Sequence, residues 1–142
     1  MEKQQENSYH DLIVYQQSRW LAREIYEMTN SFPREEIHSL TSQIRRSSRA
    51  IGAQIAAAWA KRGFEKYFIG KLTDADGEQH ETQHWIEVAR DCGYISDEKS
   101  QLLIGKCRDV GNLILDMLEQ ASTFGKPPSR PMAGTQAEYV ID

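Results

Sequence analysis

Residues 40–60 read LTSQIRRSSRAIGAQIAAAWA, and this stretch decides the fold. Its apolar and small residues recur at alternating spacings of four and three, which is the heptad form of helical periodicity. Continued back to residue 37, the series consists of Ile37, Leu40, Ile44, Ser48, Ile51, Ile55 and Trp59. The pattern predicts a helix that buries this face in a core.

Three further segments repeat the spacing, so the chain is predicted to contain four helices. The first contains Val14, Ser18, Leu21, Ile25, Met28 and Phe32. The third contains Phe68, Leu72, Ala75, Gln79, Thr82, Ile86 and Ala89. The fourth contains Leu103, Cys107, Val110, Ile114, Met117 and Ala121. No part of the sequence between them alternates with a period of two, so strands are not expected.

Turn-forming residues separate the predicted helices. Pro33 cannot donate a hydrogen bond inside a helix, and Gly63 and Gly93 favour chain reversals. Ser96 is a typical N-cap for the last helix. The predicted helices span about 9–31, 34–62, 64–92 and 97–123. Because short connections join long helices, we expect an all-α, antiparallel, up-down-up-down four-helix bundle over residues 9–124.

The two ends of the chain differ from the bundle in composition. Residues 1–8 are expected to be flexible, and residues 125–142 hold three of the four prolines, which predicts a flexible tail. No run approaches the roughly 20 apolar residues that span a bilayer. The first residues lack the apolar region of a secretory signal. These features predict a cytoplasmic protein without a membrane partner.

Charge is distributed unevenly along the chain, although the formal net charge is only −4. Residues 34–72 carry eight basic and three acidic side chains, whereas residues 73–100 carry two basic and eight acidic ones. A basic helix beside an acidic helix has two interpretations. The basic residues bind a polyanion, or the two stretches neutralise each other.

The second helix carries another heptad series nearly opposite its core face. Half of it is small and apolar and half is Arg, whereas the outer face of a monomeric bundle is usually polar throughout. Small residues allow close approach of another backbone, so the series predicts a subunit contact. The alternative is that Ala is simply a good helix former. The predicted interface residues are Ser42, Arg46, Arg49, Ala53, Ala56 and Ala60.

A second basic cluster follows at the turn around Gly63. Together with the arginines of the second helix it forms a candidate phosphate-binding surface. In the alternative interpretation, carboxylates of the acidic third helix pair with these arginines within or between subunits. The candidate nucleic-acid-binding residues are Arg45, Arg46, Arg49, Lys61, Arg62 and Lys66.

Enzyme-like arrangements are weak in this sequence. Glu-x-x-His spacings occur at residues 35–38 and 81–84, but the two lie at different heights of the bundle, about 15 Å apart. An outward face of the third helix carries Asp76, His80, His84 and Glu87, which we interpret as a solvated or subunit-facing polar patch; the alternative is a surface metal site, or a metal-dependent enzyme that uses His80 and His84. No nucleophile–base grouping or phosphate loop is present. We therefore expect no enzyme, no metal site and no cofactor.

Three positions that the periodicity assigns to the core carry a residue other than an aliphatic one. Gln79 and Thr82 fall on the core stripe, where they indicate either a hydrogen-bonded layer that fixes register or a buried ligand site. Cys107 also falls on a core stripe, about 15 Å along the axis from Cys92. Because a disulfide needs Cα atoms within about 7 Å, the two cysteines are not expected to pair.

Several short runs resemble those of one bacterial family. They are Asp-Leu-Ile-Val-Tyr-Gln at 11–16, Phe-Pro at 32–33, Leu-Thr-Ser-Gln-Ile-Arg-Arg at 40–46, Glu-Thr-Gln at 81–83, and Ala-Arg-Asp-Cys-Gly-Tyr-Ile-Ser at 89–96. In this order they resemble the four-helix bundle proteins encoded in intervening sequences of 23S ribosomal RNA genes. The resemblance covers about residues 9–122.

This resemblance implies a homopentamer with a basic surface and without enzymatic activity. A protein similar in fold, the accessory variability protein of diversity-generating retroelements, binds nucleic acid and partners a reverse transcriptase. The resemblance thus implies RNA or DNA, and by analogy a reverse transcriptase, as partners. The sequence departs from the family pattern at Ala57 and Ala58, where relatives often have Glu and Gly.

We therefore expect a non-enzymatic, homo-oligomeric bundle that acts as a nucleic-acid-binding accessory protein. The alternative is a protein-interaction or scaffold module that binds no nucleic acid and whose arginines serve subunit contacts.

Overall fold

The computed structural model describes residues 7–124, which are helical with short connections and contain no strand. The four long helices are α1 (Ile13–Thr29), α2 (Leu40–Ala60), α3 (Glu65–Asp91) and α4 (Asp97–Glu119), and a short α5 (Ala121–Phe124) follows. Each long helix packs on the next, and α4 also packs on α1. For this part of the chain, the prediction of an all-α fold with four long helices is confirmed.

The ends of the chain lie partly outside this description. The sequence predicts flexibility for the tail, residues 125–142, and for residues 1–6, and both segments lie outside the described residues. Ser8 is described, and its hydroxyl caps a 3₁₀ turn at Tyr9–Asp11 by accepting from the His10 N–H. None of the helices between residues 7 and 124 combines the length and the hydropathy that a membrane span needs.

The second helix begins at Leu40, whereas the sequence predicted a start at residue 34. Residues Arg34–Glu36 form a 3₁₀ turn after Pro33, and the Glu36 carboxylate accepts hydrogen bonds from Ser39 Oγ and the Leu40 N–H. This carboxylate therefore caps the N-terminus of α2 at Leu40. Ile37 is consequently 50% exposed, and its assignment to the core stripe was wrong.

The α3–α4 connection agrees with the sequence prediction. Gly93 has φ of +77°, and the N–H groups of Gly93 and Tyr94 donate to the carbonyls of Arg90 and Ala89. This is the Schellman arrangement, in which a residue in the left-handed region ends a helix. Ser96 Oγ then accepts from the Lys99 N–H and caps α4. Both turn predictions are confirmed.

A hydrogen bond joins this connection to the one between α1 and α2. The Tyr94 hydroxyl donates to Glu36 Oε2 at 2.7 Å, and the Tyr94 ring lies 5.3 Å from the Phe32 ring. Hydrogen bonds from Ser39 and Tyr94 lower the pKa of Glu36, whereas the same carboxylate raises the pKa of Tyr94 to about 12. The two connections are thereby held together at one end of the bundle.

Most positions that the heptad spacing selected are in the core, but Met28 is only partly buried, and Leu12, Ala58 and Ile104 are buried in addition. Every predicted core residue of α3 and α4 is buried, and Leu21, Ile44, Ile51 and Phe68 are completely so. Cys107 is buried among them, and burial raises the pKa of its thiol to about 12. Cys92 is exposed, and both cysteines are free, as predicted.

The polar residues of the core form a hydrogen-bonded layer. Thr82 Oγ1 donates to Ser47 Oγ at 2.9 Å across α2 and α3. The Gln79 amide nitrogen donates to Asp76 Oδ1, and its oxygen accepts from Gln83 Nε2. Among the described residues, no buried side-chain nitrogen or oxygen is left without a partner. The geometry therefore favours a layer that fixes helix register over a ligand site.

Candidate nucleic-acid interface

An open groove of about 490 Å³ runs between α1 and α2. Its lining contains three arginines, two tyrosines and no carboxylate, and the remaining side chains are small. The residues that line it are Tyr15, Ser18, Arg19, Ala22, Arg23, Tyr26, Ser48, Arg49, Gly52, Ala53 and Ala56. We call this surface the α1–α2 groove.

Small residues of α2 form the floor of the groove. A Cβ atom added at Gly52 would lie 3.1 Å from Ser18 Oγ and 3.6 Å from Tyr15 Cε1, so α1 and α2 pack closely there. Ala53 is exposed and Ala56 is half-buried. The predicted interface residues Ala53 and Ala56 thus lie in the groove, together with Arg49, and leave room above the helix backbone.

Two arginines of α2 cover Tyr26 of α1. The guanidinium carbon lies 4.4 Å from the ring centroid for Arg45 and 5.3 Å for Arg49. Arg45 Nε also donates to Thr29 Oγ1 at 2.7 Å, and its Nη2 donates to Asn30 Oδ1 at 3.2 Å. Neutral partners therefore hold Arg45 against α1. None of these contacts pairs its positive charge with a carboxylate.

Arg46 points to the other side of α2, toward the acidic helix α3. Its guanidinium lies 3.1 Å from Glu78 Oε2 and 2.7 Å from Glu81 Oε1. The hydrogen bond to Glu81, followed by the one to Glu78, raises the pKa of Arg46 above its already high usual range. The hydrogen bond from Arg46 in turn lowers the pKa of Glu81. Arg46 is thus neutralised within one chain, as one of the two interpretations of the sequence anticipated.

The second basic cluster lies at the opposite end of α2. Lys61 follows Arg46 by fifteen residues, which corresponds to about 22 Å along a helix. Arg62 donates to the Trp59 carbonyl at 2.9 Å and lies 4.2 Å from the Trp59 ring centroid, and Lys66 is exposed on α3. The six predicted nucleic-acid-binding residues therefore do not form one surface.

A second, shallower depression of about 620 Å³ follows the outer side of α2. It holds the predicted interface residues Ser42, Arg46 and Arg49, and the exposed Ile37 lies at its edge, whereas Ala60 is exposed beyond it. We call this surface the α2 outer strip. Its lining residues are Ile37, Thr41, Ser42, Arg45, Arg46, Arg49, Ala50 and Ala53.

A family model, described as 23S rRNA-intervening sequence protein, matches residues 10–116. The chain belongs to this family. Among solved structures, a protein of unknown function from the S23 ribosomal protein family of Bacteroides thetaiotaomicron has a TM-score of 0.69 and 26% sequence identity. That alignment covers 75% of this chain and 96% of the other. No protein with a curated description matches significantly.

The residues that match the intervening-sequence family include the whole lining of the α1–α2 groove, from Tyr15 to Ala56. The sequence interpretation missed the α1 half of this surface. Tyr15, Arg19, Arg23 and Tyr26 recur at spacings of four, four and three, one or two positions away from the core stripe. This periodicity was available in the sequence, but the net negative charge of the first 33 residues concealed it.

The polar residues on the outer face of α3 do not assemble into a metal site. His80 Nδ1 lies 2.9 Å from the Asp76 carbonyl oxygen, and the His84 ring packs against Trp85. Within residues 7–124, no three His, Cys, Asp or Glu side chains are grouped closely enough to hold a metal ion.

Proposed function

We propose that this member of the intervening-sequence family is a non-enzymatic bundle that binds nucleic acid, as an accessory protein of the cytoplasm, through the α1–α2 groove. The observation that carries the proposal is the lining of that groove. It presents Arg19, Arg23 and Arg49 beside two tyrosines and no carboxylate. Arginine side chains release counterions when they contact phosphates, and this release dominates nucleic-acid affinity.

The charges of the neighbouring helices support the same surface. α1 and α2 together carry five arginines and two acidic residues, 5 − 2 = +3, although one of the arginines, Arg46, is paired with α3. In contrast, α3 carries three basic and seven acidic side chains, 3 − 7 = −4. Helix α3 packs on α2 and α4 but not on α1. A polyanion is therefore repelled from the α3 side and attracted to the α1–α2 side.

Removal of one groove arginine tests the proposal. We expect Arg49→Ala to weaken binding of a fluorescein-labelled 20-nucleotide RNA about 10-fold at low salt, because one phosphate contact is lost. The slope of log affinity against log salt should fall by about 0.7. Fluorescence anisotropy at 50 and 200 mM salt measures both quantities.

Arg108→Ala on α4 is the matched control, because it removes the same charge from an exposed position outside the groove. We expect its affinity to stay close to that of the unmodified protein. Equal losses for the two variants would refute a specific site on α1 and α2. The Lys66→Ala variant reports in the same way on the basic cluster at the α2–α3 turn.

A scaffold role is the second candidate, and the exposed Ile37 favours it. This side chain is apolar and lies at one end of the α2 outer strip, whose other end carries the small residues Ala50 and Ala53. We propose that the strip is where copies of the chain associate, and the family resemblance suggests a homopentamer. A reverse transcriptase is a candidate protein partner by the same analogy. Light scattering that returns the monomer mass at 50 μM would contradict this role.

A further inference from the structure

The groove places two arginines between two tyrosines along one face of α1. Tyr15, Arg19, Arg23 and Tyr26 follow one another at successive turns of the helix. The Arg19 guanidinium carbon lies 5.9 Å from the Tyr15 ring centroid, and Arg49 lies over Tyr26 from the other wall. We infer that the groove binds single-stranded nucleic acid in preference to a duplex, an inference that rests on the proposed function.

The shape of the groove is the first argument. It lies between two helices, and packed helices have axes about 8–10 Å apart. Small residues such as Gly52 form its floor, and the side chains of Arg19, Arg23 and Arg49 are exposed along it. A duplex keeps its bases paired and its phosphates outside, so it contacts only the exposed arginine side chains, whereas a single strand can also turn its bases toward the groove walls. A single strand therefore makes more contacts in the groove than a duplex does.

The aromatic residues are the second argument. Tyr26 is 43% exposed although two guanidinium groups cover part of its ring, and Tyr15 is half-buried. Unstacked bases pack on tyrosine rings and on arginine guanidinium planes, and this contact tolerates any base sequence. The bases of a duplex are already stacked inside it. The tyrosines therefore contribute to binding of a single strand and not of a duplex.

The length of the row sets the size of the ligand. Tyr26 follows Tyr15 by eleven positions, which is about 16 Å along a helix. A strand that keeps a rise of about 3.4 Å per nucleotide places about five nucleotides between the two rings. A probe of 12 nucleotides therefore covers the groove of one chain.

The test compares a 5′-fluorescein-labelled 12-nucleotide RNA of mixed sequence with the same RNA annealed to its complement. We expect Tyr26→Leu and Tyr26→Gln to weaken single-strand binding about 10-fold. Tyr26→Phe, which keeps the ring, should stay within about twofold, since stacking does not need the hydroxyl. Tyr67→Leu is the matched control, because Tyr67 is a comparably exposed tyrosine on α3. Circular dichroism confirms that each variant is folded.

Heparin, a polyanion without bases, separates stacking from charge. We expect Tyr26→Leu to leave heparin binding unchanged. An equal loss for heparin and RNA would show that Tyr26 acts only by positioning Arg45 and Arg49, which would overturn the stacking role. Duplex affinity equal to or greater than single-strand affinity would overturn the preference, while loss of binding in Arg49→Ala would still support the proposed function. Absence of binding to both RNAs would refute both.

Discussion

Replacement of Phe68 by Ala is expected to lower the free energy of unfolding by about 3–5 kcal/mol. Phe68 lies in the first turn of α3, is completely buried and belongs to the main core cluster with Leu72, Ile55 and Met117. Truncation removes the apolar contacts of the ring and leaves a cavity that the surrounding helices fill only in part. The loss is a large fraction of the 5–15 kcal/mol that stabilises a typical domain.

Urea unfolding followed by circular dichroism at 222 nm measures the change. Tyr67→Ala is the neighbouring control, because Tyr67 is half exposed and contributes little to the core. We expect it to change the unfolding free energy by no more than about 1 kcal/mol. If both variants lost similar amounts of stability, the core at this end of the bundle would not be packed as the structure has it.

The buried residues could be predicted from the sequence because the heptad spacing of apolar residues indicates which face of each helix packs in the core. Each predicted core position of α3, from Phe68 to Ala89, is buried. The error at Ile37 has a local cause. Periodicity continued through this residue, but the Glu36 carboxylate caps α2 at Leu40, and a side-chain hydrogen bond of this kind leaves no trace in hydropathy.

The candidate site was harder to predict because charge pairing depends on the direction of side chains. Arg45 and Arg46 are adjacent in sequence, but one packs on Tyr26 of α1 and the other binds Glu78 and Glu81 of α3. Successive helical residues are about 100° apart, so a basic run divides between two neighbours. Periodicity finds the helices, whereas the groove appears only when α1 and α2 are placed side by side.

Gly111→Ala is expected to lower the free energy of unfolding by about 1–2 kcal/mol, although Ala favours helix by about 1 kcal/mol over Gly. A Cβ atom at Gly111 of α4 would lie 2.7 Å from Gln79 Nε2 and 3.5 Å from Asp76 Oδ1. Gln79 is 3% exposed and is held by its hydrogen bonds to Asp76 and Gln83. The new methyl group must displace this amide from the polar layer, which leaves buried polar groups unpaired.

Gly77→Ala on α3 is the matched control, since a Cβ atom there meets nothing within 4 Å. We expect it to raise stability by up to about 1 kcal/mol, opposite in sign to Gly111→Ala.

In a Gln79→Ala background the space beside Gly111 is empty, so Gly111→Ala should become stabilising. The double-mutant cycle then gives a coupling free energy of about 2–3 kcal/mol. If Gly111→Ala instead stabilised the unmodified protein as Gly77→Ala does, the Gln79 side chain would move freely and would not be fixed beside Gly111 of α4.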